Sequence, residues 1–383
     1  MASLIRDRSA ATAQMIAVFG DEALVRAALR FEAALARALA DEGAAPSAAA
    51  ELIAEVAAGA AFDIAVLADE AAHAGTLAIP LVARLRTLVA ARDEASAALV
   101  HQGATSQDLA DTALMLQAQA GAALIGEAGG ALSAALAALA EREATTSMLG
   151  RTLLQPALPI TLGLKAANWL LGVDAALRRF EREARDALVA QLGGAAGTLA
   201  GLPLGVVARV AEELGLGVPP LPWHARRDGI AGLATALAIL AGATGKIARD
   251  VSLMAQGELG EAMEPVIAGR GGSSAMAHKR NPTGCQVALS AAIRAPGLAS
   301  TILAGLPQEH ERGLGGWQVE AATLASLFEL THGALTAMAT VIKGLELHPD
   351  RLAGNLAAAG VGDDVGQAAQ LVRQALAQAR RAR

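Results

Sequence analysis

The segment Gly272-Ser273-Ser274-Ala275-Met276-Ala277-His278-Lys279-Arg280-Asn281-Pro282 is the most informative part of this 383-residue chain. It starts with glycine, is polar and basic, and precedes an apolar run with helical periodicity. The N-terminus of a helix presents free N–H groups and the positive end of the helix dipole, which stabilise an anion or a developing oxyanion. A serine at this position can act in catalysis, because the dipole and a nearby lysine favour its alkoxide form. A Gly-Ser-Ser run alone would indicate only a flexible, solvated loop.

The composition predicts an all-α protein. Hydrophobic residues make up 54% of the chain and aromatic residues only 2%, with no tyrosine. Alanine and leucine are strong helix formers, whereas the aromatic residues that favour strands are scarce. Small side chains also let long helices pack closely against each other.

Helical periodicity predicts a small N-terminal helical domain and a central bundle. One amphipathic helix is expected from Ile16 to Ala40, with shorter helices to about Arg92. The long helices are predicted to span Leu109 to Glu143, Pro156 or Pro159 to about Gln191, Arg227 to Glu258, Asn281 or Pro282 to Gly305, and about Gln318 to Gly344. Ser106 or Asp108 is expected to cap the first of these. We therefore predict an N-terminal domain at 1–100, a bundle domain at 101–345 and a short C-terminal stub at 346–383.

The charge distribution disfavours nucleic acid as a partner. The formal net charge is −6, and no basic block occurs apart from the arginines between Arg380 and Arg383. An anionic ligand would therefore need a site where a few cations are concentrated locally.

The sequence predicts a cytoplasmic protein without a membrane span. Cys285 is the only cysteine, so no intrachain disulfide can form, which fits a reducing compartment. Arg6, Asp7 and Arg8 precede any apolar run, so no signal peptide is predicted. The uncharged stretch from Gly229 to Gly245 is shorter than the ~20 residues that a membrane helix needs.

No cofactor and no metal are predicted. Histidines are scattered along the chain, and Cys285 has no second cysteine beside it, so no dense ligand cluster is visible. The stretch from Gly242 to Lys246 is superficially similar to a phosphate-binding loop, but it lacks the first glycine and the hydroxyl residue after the lysine.

The complete eleven-residue segment resembles the signature Gly-Ser-Ser-x-Met-Pro-x-Lys-x-Asn-Pro of the fumarase/aspartase superfamily. It departs from that pattern at Ala277, where the family usually has proline. The resemblance implies that Ser273 is the catalytic base, with Ser274 the other candidate of the pair. It also implies that Lys279 and Asn281 bind a substrate carboxylate.

Two further segments resemble the other conserved regions of that superfamily, in the same order. His101 to Asp108 is similar to the first region, where threonine and serine hold a carboxylate. This implies substrate-binding roles for His101, Thr105 and Ser106. Arg151 to Ala157 is similar to the second region and implies the same role for Arg151 and Gln155. The family is homotetrameric, with central helices bundled together and each active site built from three subunits.

A fourth segment, Gln308 to Gln318, resembles the carboxymuconate cycloisomerases within this superfamily and adds Arg312 as a substrate-binding residue. Most of the superfamily has histidine where Leu153 stands and glutamate where Gln286 stands. Lactone closure does not need that acid–base pair, because its nucleophile is a carboxylate that is ionised near neutral pH. The resemblance implies closure of 3-carboxy-cis,cis-muconate to 4-carboxymuconolactone, in the protocatechuate branch of aromatic catabolism.

Two alternatives remain open on the sequence. One is another lyase of the superfamily, acting on adenylosuccinate or argininosuccinate. The other is a non-catalytic helical homologue, which the departures at Leu153, Gln286 and Ala277 favour and the retained Ser273 and Lys279 disfavour.

Overall fold

A computed structural model describes residues 4–272, 276 and 279–381. Within these ranges the regular secondary structure is almost entirely helical, which confirms the predicted all-α fold. The helices are α1 (Leu4–Asp7), α2 (Ala13–Val18), α3 (Asp21–Asp41), α4 (Ser47–Gly59), α5 (Ile64–Ala74), α6 (Ala78–Ala90), α7 (Glu94–Ala97), α8 (Ser106–Arg142), α9 (Leu162–Ala187), α10 (Val206–Leu214), α11 (Asp228–Met254), α12 (Thr283–Ala304), α13 (Glu320–Lys343), α14 (Pro349–Ala359) and α15 (Ala368–Arg381). The short strands are β1 (Ser147–Thr152), β2 (Gln155–Thr161), β3 (Ala262–Met263) and β4 (Glu346–Leu347).

The five long helices α8, α9, α11, α12 and α13 pack side by side as an up-and-down bundle. Arg227, directly before α11, bonds to Asp111 near the start of α8 and to Glu320 at the start of α13. Those three helices therefore begin at the same end, here called the upper end, and α9 and α12 run back from the lower end. With 37 residues, α8 is about 55 Å long, so the two ends are far apart.

The core is made mainly of alanine and leucine, with one aromatic cluster. The ring of Phe328 on α13 lies 5.2 Å from that of Phe19 and 6.3 Å from that of Phe180, measured between centroids. Gly129 on α8 faces Leu177 on α9 so closely that an added Cβ would collide with the leucine side chain. Small residues thus set the separation of these two helices.

In the described part of the chain, four helical segments are long and apolar enough to cross a membrane, judged by length and composition alone. They are α8, α11, α12 and the segment Trp317–Lys343. The most apolar 18-residue stretch of each helix is buried to a different extent. It is 33% buried in α8 and 28% in α12, but 61% in α11. The described residues of the protomer therefore leave large apolar parts of α8 and α12 uncovered.

Several helix boundaries differ from the sequence-based prediction. The N-terminal helix is broken at Gly20, which takes extended dihedrals (φ −72°, ψ 160°) and precedes the acidic first turn of α3. The first long helix begins at Ser106, and its N-cap is Thr105 rather than Ser106 or Asp108. Asp108 contributes from the first turn by accepting a hydrogen bond from the backbone N of Thr105 at 2.9 Å.

The largest difference lies before α9, which begins at Leu162 rather than at Pro156 or Pro159. Residues 147–161 instead form the antiparallel hairpin of β1 and β2, in which Thr152 pairs with Gln155. Helical periodicity does not detect short strands of this kind, because their stability comes from pairing with each other.

His332 gives the fold a pH dependence that can be measured. Its side chain is buried, and Nδ1 lies 2.9 Å from the hydroxyl of Thr12, joining α13 to the N-terminal segment. Burial lowers the pKa of His332 below its ordinary value of 6.5, while the charge of Glu127 opposes the shift. Below about pH 6.5 the unfolded chain therefore binds more protons at this residue than the folded protein does, and stability falls as the pH drops.

We accordingly expect the free energy of unfolding to fall more in the wild type than in His332→Gln when the pH is lowered from 7 to 5. Urea denaturation at equal protomer concentration measures both changes. The exposed His73 provides the control, since His73→Gln should keep the wild-type loss. An equal loss in His332→Gln and the wild type would contradict the expectation.

Candidate active site

The first predicted region lies at the upper end and is organised by the buried Asp108. Its Oδ1 accepts from the backbone N of Gly193 at 3.0 Å and lies 2.6 Å from Nε2 of His224. Its Oδ2 accepts from the backbone N of Gly194 and of Thr105, both at 2.9 Å. Four partners compensate the burial of this carboxylate and fix the turn before α8 against the loop at 193–194.

Arg312 is brought to the same place by the loop between α12 and α13. Its Nη1 donates to the hydroxyl of Thr105 at 2.8 Å, and its Nη2 donates to the carbonyl oxygen of Ala195 at 2.8 Å. Nε of Arg312 is buried and has no partner among the described residues. The structure thus places Arg312 against Thr105 of the first region, which also contains His101 and Ser106. The substrate-binding roles of these residues stay predictions.

A buried ionic network lies beneath this surface. Arg227 donates to both carboxylate oxygens of Asp111, each at 2.8 Å, and to both oxygens of Glu320. The guanidinium also lies 4.6 Å from the ring centroid of Trp223. Burial raises the pKa of Glu320, and the contact with Arg227 opposes that shift. One cation therefore joins the starts of three long helices at the upper end.

The second region lies at the lower end, where Arg151 projects from β1. Its Nη2 and Nη1 donate to the two carboxylate oxygens of Glu261 at 2.6 Å and 3.0 Å. Glu261 is fully buried and also accepts from Nδ2 of Asn355 at 2.9 Å. This bidentate pair occupies the fork of Arg151 with a protein carboxylate, so its substrate-binding role stays a prediction. Gln155 is exposed at the end of the hairpin turn.

The turn of this hairpin is apolar and strained. Leu153 and Leu154 have φ angles of 52° and 65°, and their side chains are 95% and 76% exposed. Left-handed backbone costs a residue with a side chain about 1–2 kcal/mol, and such turns normally contain asparagine or glycine. Strained residues of this kind are concentrated at functional sites. Here the strain places two leucines on an outward-facing tip.

The described part of the signature segment, Gly272, Met276 and residues 279–282, also lies at the lower end. Ser273, Ser274, Ala277 and His278 fall outside the described residues, so the predicted catalytic serines are not placed. The following part is anchored by Asn281, whose backbone N donates to the carbonyl oxygen of Gly271 at 2.8 Å. The side chain of Lys279 is exposed beside a crevice of about 200 Å³ that Asn281 also lines.

The N-terminus of α12, which the sequence offered as an anion site, is occupied by a protein carboxylate. Glu264 accepts from the backbone N of Gly284 at 2.9 Å and from that of Cys285 at 2.7 Å. The free N–H groups of this helix are therefore already used by the protomer. Arg280, the basic residue after Lys279, pairs with Glu346 at 2.9 Å.

Within one protomer the predicted residues form two groups. His101, Thr105, Ser106 and Arg312 lie at the upper end of the bundle, and Arg151, Gln155, Lys279 and Asn281 lie at the lower end. Because α8 separates the first region from the second by about 55 Å, one protomer does not bring all of them around one small molecule.

Residues 7–297 match the family model described as lyase. The chain belongs to this lyase family, within the fumarase/aspartase superfamily. A 3-carboxy-cis,cis-muconate cycloisomerase of Bradyrhizobium diazoefficiens is 49% identical over 90% of this chain and 77% of its own length. A nitrosuccinate lyase of Streptomyces davaonensis is 40% identical over 89% of this chain and 74% of its own length. The crystal structure of a 3-carboxy-cis,cis-muconate lactonizing enzyme from Pseudomonas putida has a TM-score of 0.92 and 34% identity, covering 99% of this chain and 100% of that one.

The side chains that hold the candidate residues in place could not be predicted from motifs. Glu32, for example, lies 2.6 Å from His101 although 69 positions separate the two. A charged residue on the apolar face of a predicted helix was the available signal. In the ranges that the structure describes, no group of three or more His, Cys, Asp or Glu side chains is arranged to hold a metal.

Proposed function

We propose that the chain is a cycloisomerase that closes 3-carboxy-cis,cis-muconate to 4-carboxymuconolactone without a cofactor. The similarity to a 3-carboxy-cis,cis-muconate cycloisomerase over 90% of the chain carries the proposal. Leu153 and Gln286 support it, because they replace the acid–base pair that hydration or deamination chemistry would use. The pathway, the degradation of aromatic compounds through protocatechuate, is part of the proposal.

The chemistry needs a positioned substrate and one proton. A substrate carboxylate, ionised near neutral pH, adds to a carbon–carbon double bond within the same molecule. The new C–O bond closes the lactone, and the displaced π electrons form a carbanion-like intermediate. Ser273, the first serine of the signature, donates a proton to that carbon and is reprotonated from solvent. The trianionic substrate thereby becomes a dianionic lactone with the uptake of one proton.

The remaining residues bind and orient the polycarboxylate. Thr105, Ser106 and His101 would hold one carboxylate at the upper surface, beside Arg312. Lys279 and Asn281 would hold another and stabilise the charge that develops during addition. Arginine is the stronger orienting group, because its planar fork matches a carboxylate at two points.

Assembly into a homotetramer is the second part of this proposal. The two groups of site residues lie at opposite ends of a bundle of about 55 Å, so they meet only if different subunits contribute them. The poorly covered apolar stretches of α8 and α12 supply surfaces for bundling with other copies. The proposed enzyme is cytoplasmic and has no membrane or nucleic-acid partner.

We expect light scattering to report a tetramer and expect inactive variants to complement each other. Arg312→Met damages the upper group and Lys279→Met the lower group, so each should be nearly inactive alone. In tetramers assembled at random from both variants, about a quarter of the active sites would be intact. These are the sites that take Arg312 from a Lys279→Met chain and Lys279 from an Arg312→Met chain. Co-expression with two different tags, tandem purification and assay would measure this recovery.

The matched control combines two lesions in one region. Co-expression of the Lys279→Met chain with the Asn281→Ala chain should recover no activity, because every site then takes a damaged signature segment from one chain or the other. An active monomer, or equal recovery in both hybrids, would contradict shared sites.

The proposed reaction is tested by the ultraviolet absorbance of the conjugated diene, which lactonisation removes. The wild type should cyclise 3-carboxymuconate but hydrate fumarate and deaminate aspartate negligibly, because protonating a poor leaving group is worth about 10²–10⁴-fold. The double variant Leu153→His/Gln286→Glu should not gain cyclisation activity, since a carboxylate nucleophile needs no such pair.

Several outcomes would contradict this assignment. Appreciable fumarase or aspartase activity of the wild type, or a large gain of cyclisation in the double variant, would show that the pair matters. Turnover of adenylosuccinate, argininosuccinate or nitrosuccinate in place of carboxymuconate would identify another lyase. Nitrosuccinate is included because of the relative that is 40% identical.

A further inference from the structure

Glu32 is a buried carboxylate that the proposed mechanism does not yet use. It lies in α3 among buried apolar residues, and its side chain is 0% exposed. Its Oε1 lies 2.6 Å from Nδ1 of His101, while its Oε2 is buried without any hydrogen-bond partner among the described residues. A carboxylate in such surroundings is costly, and a single histidine contact compensates it incompletely.

His101 is held in an unusual backbone conformation at the same point. Its φ of 60° is left-handed, which few residues other than glycine adopt. The residue stands four positions before Thr105, whose hydroxyl accepts from Arg312 at 2.8 Å. The left-handed backbone and the contact with Glu32 therefore fix the position of the imidazole within the first region, to which Arg312 binds through Thr105.

The contact with Glu32 leaves one ring nitrogen for a ligand. In the described part of the chain Nε2 has no hydrogen-bond partner, and it is not among the enclosed polar atoms. A carboxylate on Nδ1 requires the proton to be on that nitrogen, so Nε2 donates to an anion only when the ring carries both protons.

We infer that Glu32 is a positioning residue of the active site. It accepts a hydrogen bond from Nδ1–H of His101 and so presents Nε2–H to a carboxylate of the substrate. This inference rests on the proposed function and extends it to a residue of the N-terminal helices. A purely structural pair would only join α3 to the turn before α8.

The two interpretations differ in steady-state kinetics. Glu32→Met removes the charge and the hydrogen-bond acceptor but keeps an apolar side chain of similar size, a replacement that buried ionic groups often tolerate. If Glu32 acts through a binding residue, KM for 3-carboxymuconate should rise about tenfold with kcat within about threefold of wild type. Glu32→Gln should give a KM between those of the wild type and Glu32→Met, because its amide oxygen can still accept a hydrogen bond from Nδ1–H. It also repeats the test if Glu32→Met does not assemble.

Two further variants separate positioning from stability. In a His101→Asn background, Glu32→Met should raise KM no further, because the residue through which it acts is gone. Asparagine suits the left-handed backbone at this position. Asp174→Asn is the matched control, since Asp174 is also a buried carboxylate with one bonded and one unpartnered oxygen, but it bonds to Ser133 in the middle of the bundle. It should change the melting temperature and leave KM unchanged.

The outcomes separate this inference from the proposed function. A wild-type KM in Glu32→Met, or an equal rise of KM with and without His101, would overturn the positioning role while the activity stands. A wild type that does not consume 3-carboxymuconate would overturn the proposed function, and the inference with it.

Discussion

Replacing Ser273 with alanine is expected to lower kcat by about 10²- to 10⁴-fold, the usual effect of removing a positioned proton donor. The carbanion-like intermediate would then take its proton from unpositioned water. Ser273→Ala removes only one hydroxyl, so the helical fold, the oligomeric state and KM should stay close to wild type. Steady-state assays of diene loss at saturating substrate measure the effect, and light scattering checks the assembly.

Ser274 provides the matched control, because it is the same residue type one position further along the same segment. Ser274→Ala should keep kcat within about tenfold of wild type, the loss expected when no proton transfer is removed. If the two variants exchange their effects, the catalytic role belongs to Ser274. A nearly unchanged kcat in both variants would show that neither serine of the signature supplies the proton.

The second large effect is expected on stability, when Arg227 is replaced by methionine. The substitution leaves Asp111 and Glu320 facing each other in the core without their shared cation. Breaking a buried ionic interaction from one side costs about 3–5 kcal/mol. Urea unfolding at a fixed protomer concentration should show a loss of this size in Arg227→Met. The deficit should narrow as the pH falls, because burial raises the pKa of Glu320 and protonation removes its uncompensated charge.

Arg226 is the matched control for this experiment. It is the neighbouring arginine, but it is exposed, and its one ion pair among the described residues is with the exposed Asp228. Arg226→Met should therefore change stability by less than about 1 kcal/mol. The triple variant Arg227→Met/Asp111→Asn/Glu320→Gln should recover much of the loss, because no unpaired charge remains. A stability of Arg227→Met equal to that of Arg226→Met would show that the network contributes little.

Several features of the protein could be predicted because they depend on local sequence. Helix propensity and the spacing of apolar residues act within a few turns, so the composition and periodicity predict the all-α fold and the five long helices. The segment from Gly272 to Pro282 predicts the family, since its identity lies in consecutive residues.

Features that depend on pairing between distant segments could not be predicted in this way. The hairpin at 147–161 has a Leu153-Leu154 turn instead of the usual asparagine or glycine, so no local turn signal announced it. The start of α12 does not offer a free anion site within this protomer. Glu264, about twenty positions earlier, already accepts hydrogen bonds from the first backbone N–H groups of the helix.

The sequence by itself therefore determined the helical class, the family and the candidate groups, because these follow from local propensity and from consecutive residues. Only the tertiary structure decided where those groups lie and what holds them. The first and second regions lie at opposite ends of α8, so its length separates them. This separation depends on the straightness of a packed helix rather than on any motif. Burial likewise turned Glu32 and Arg227, two ordinary charges in the sequence, into the partners that orient His101 and join three helices. A charge has large energetic consequences only where the folded chain excludes water from it.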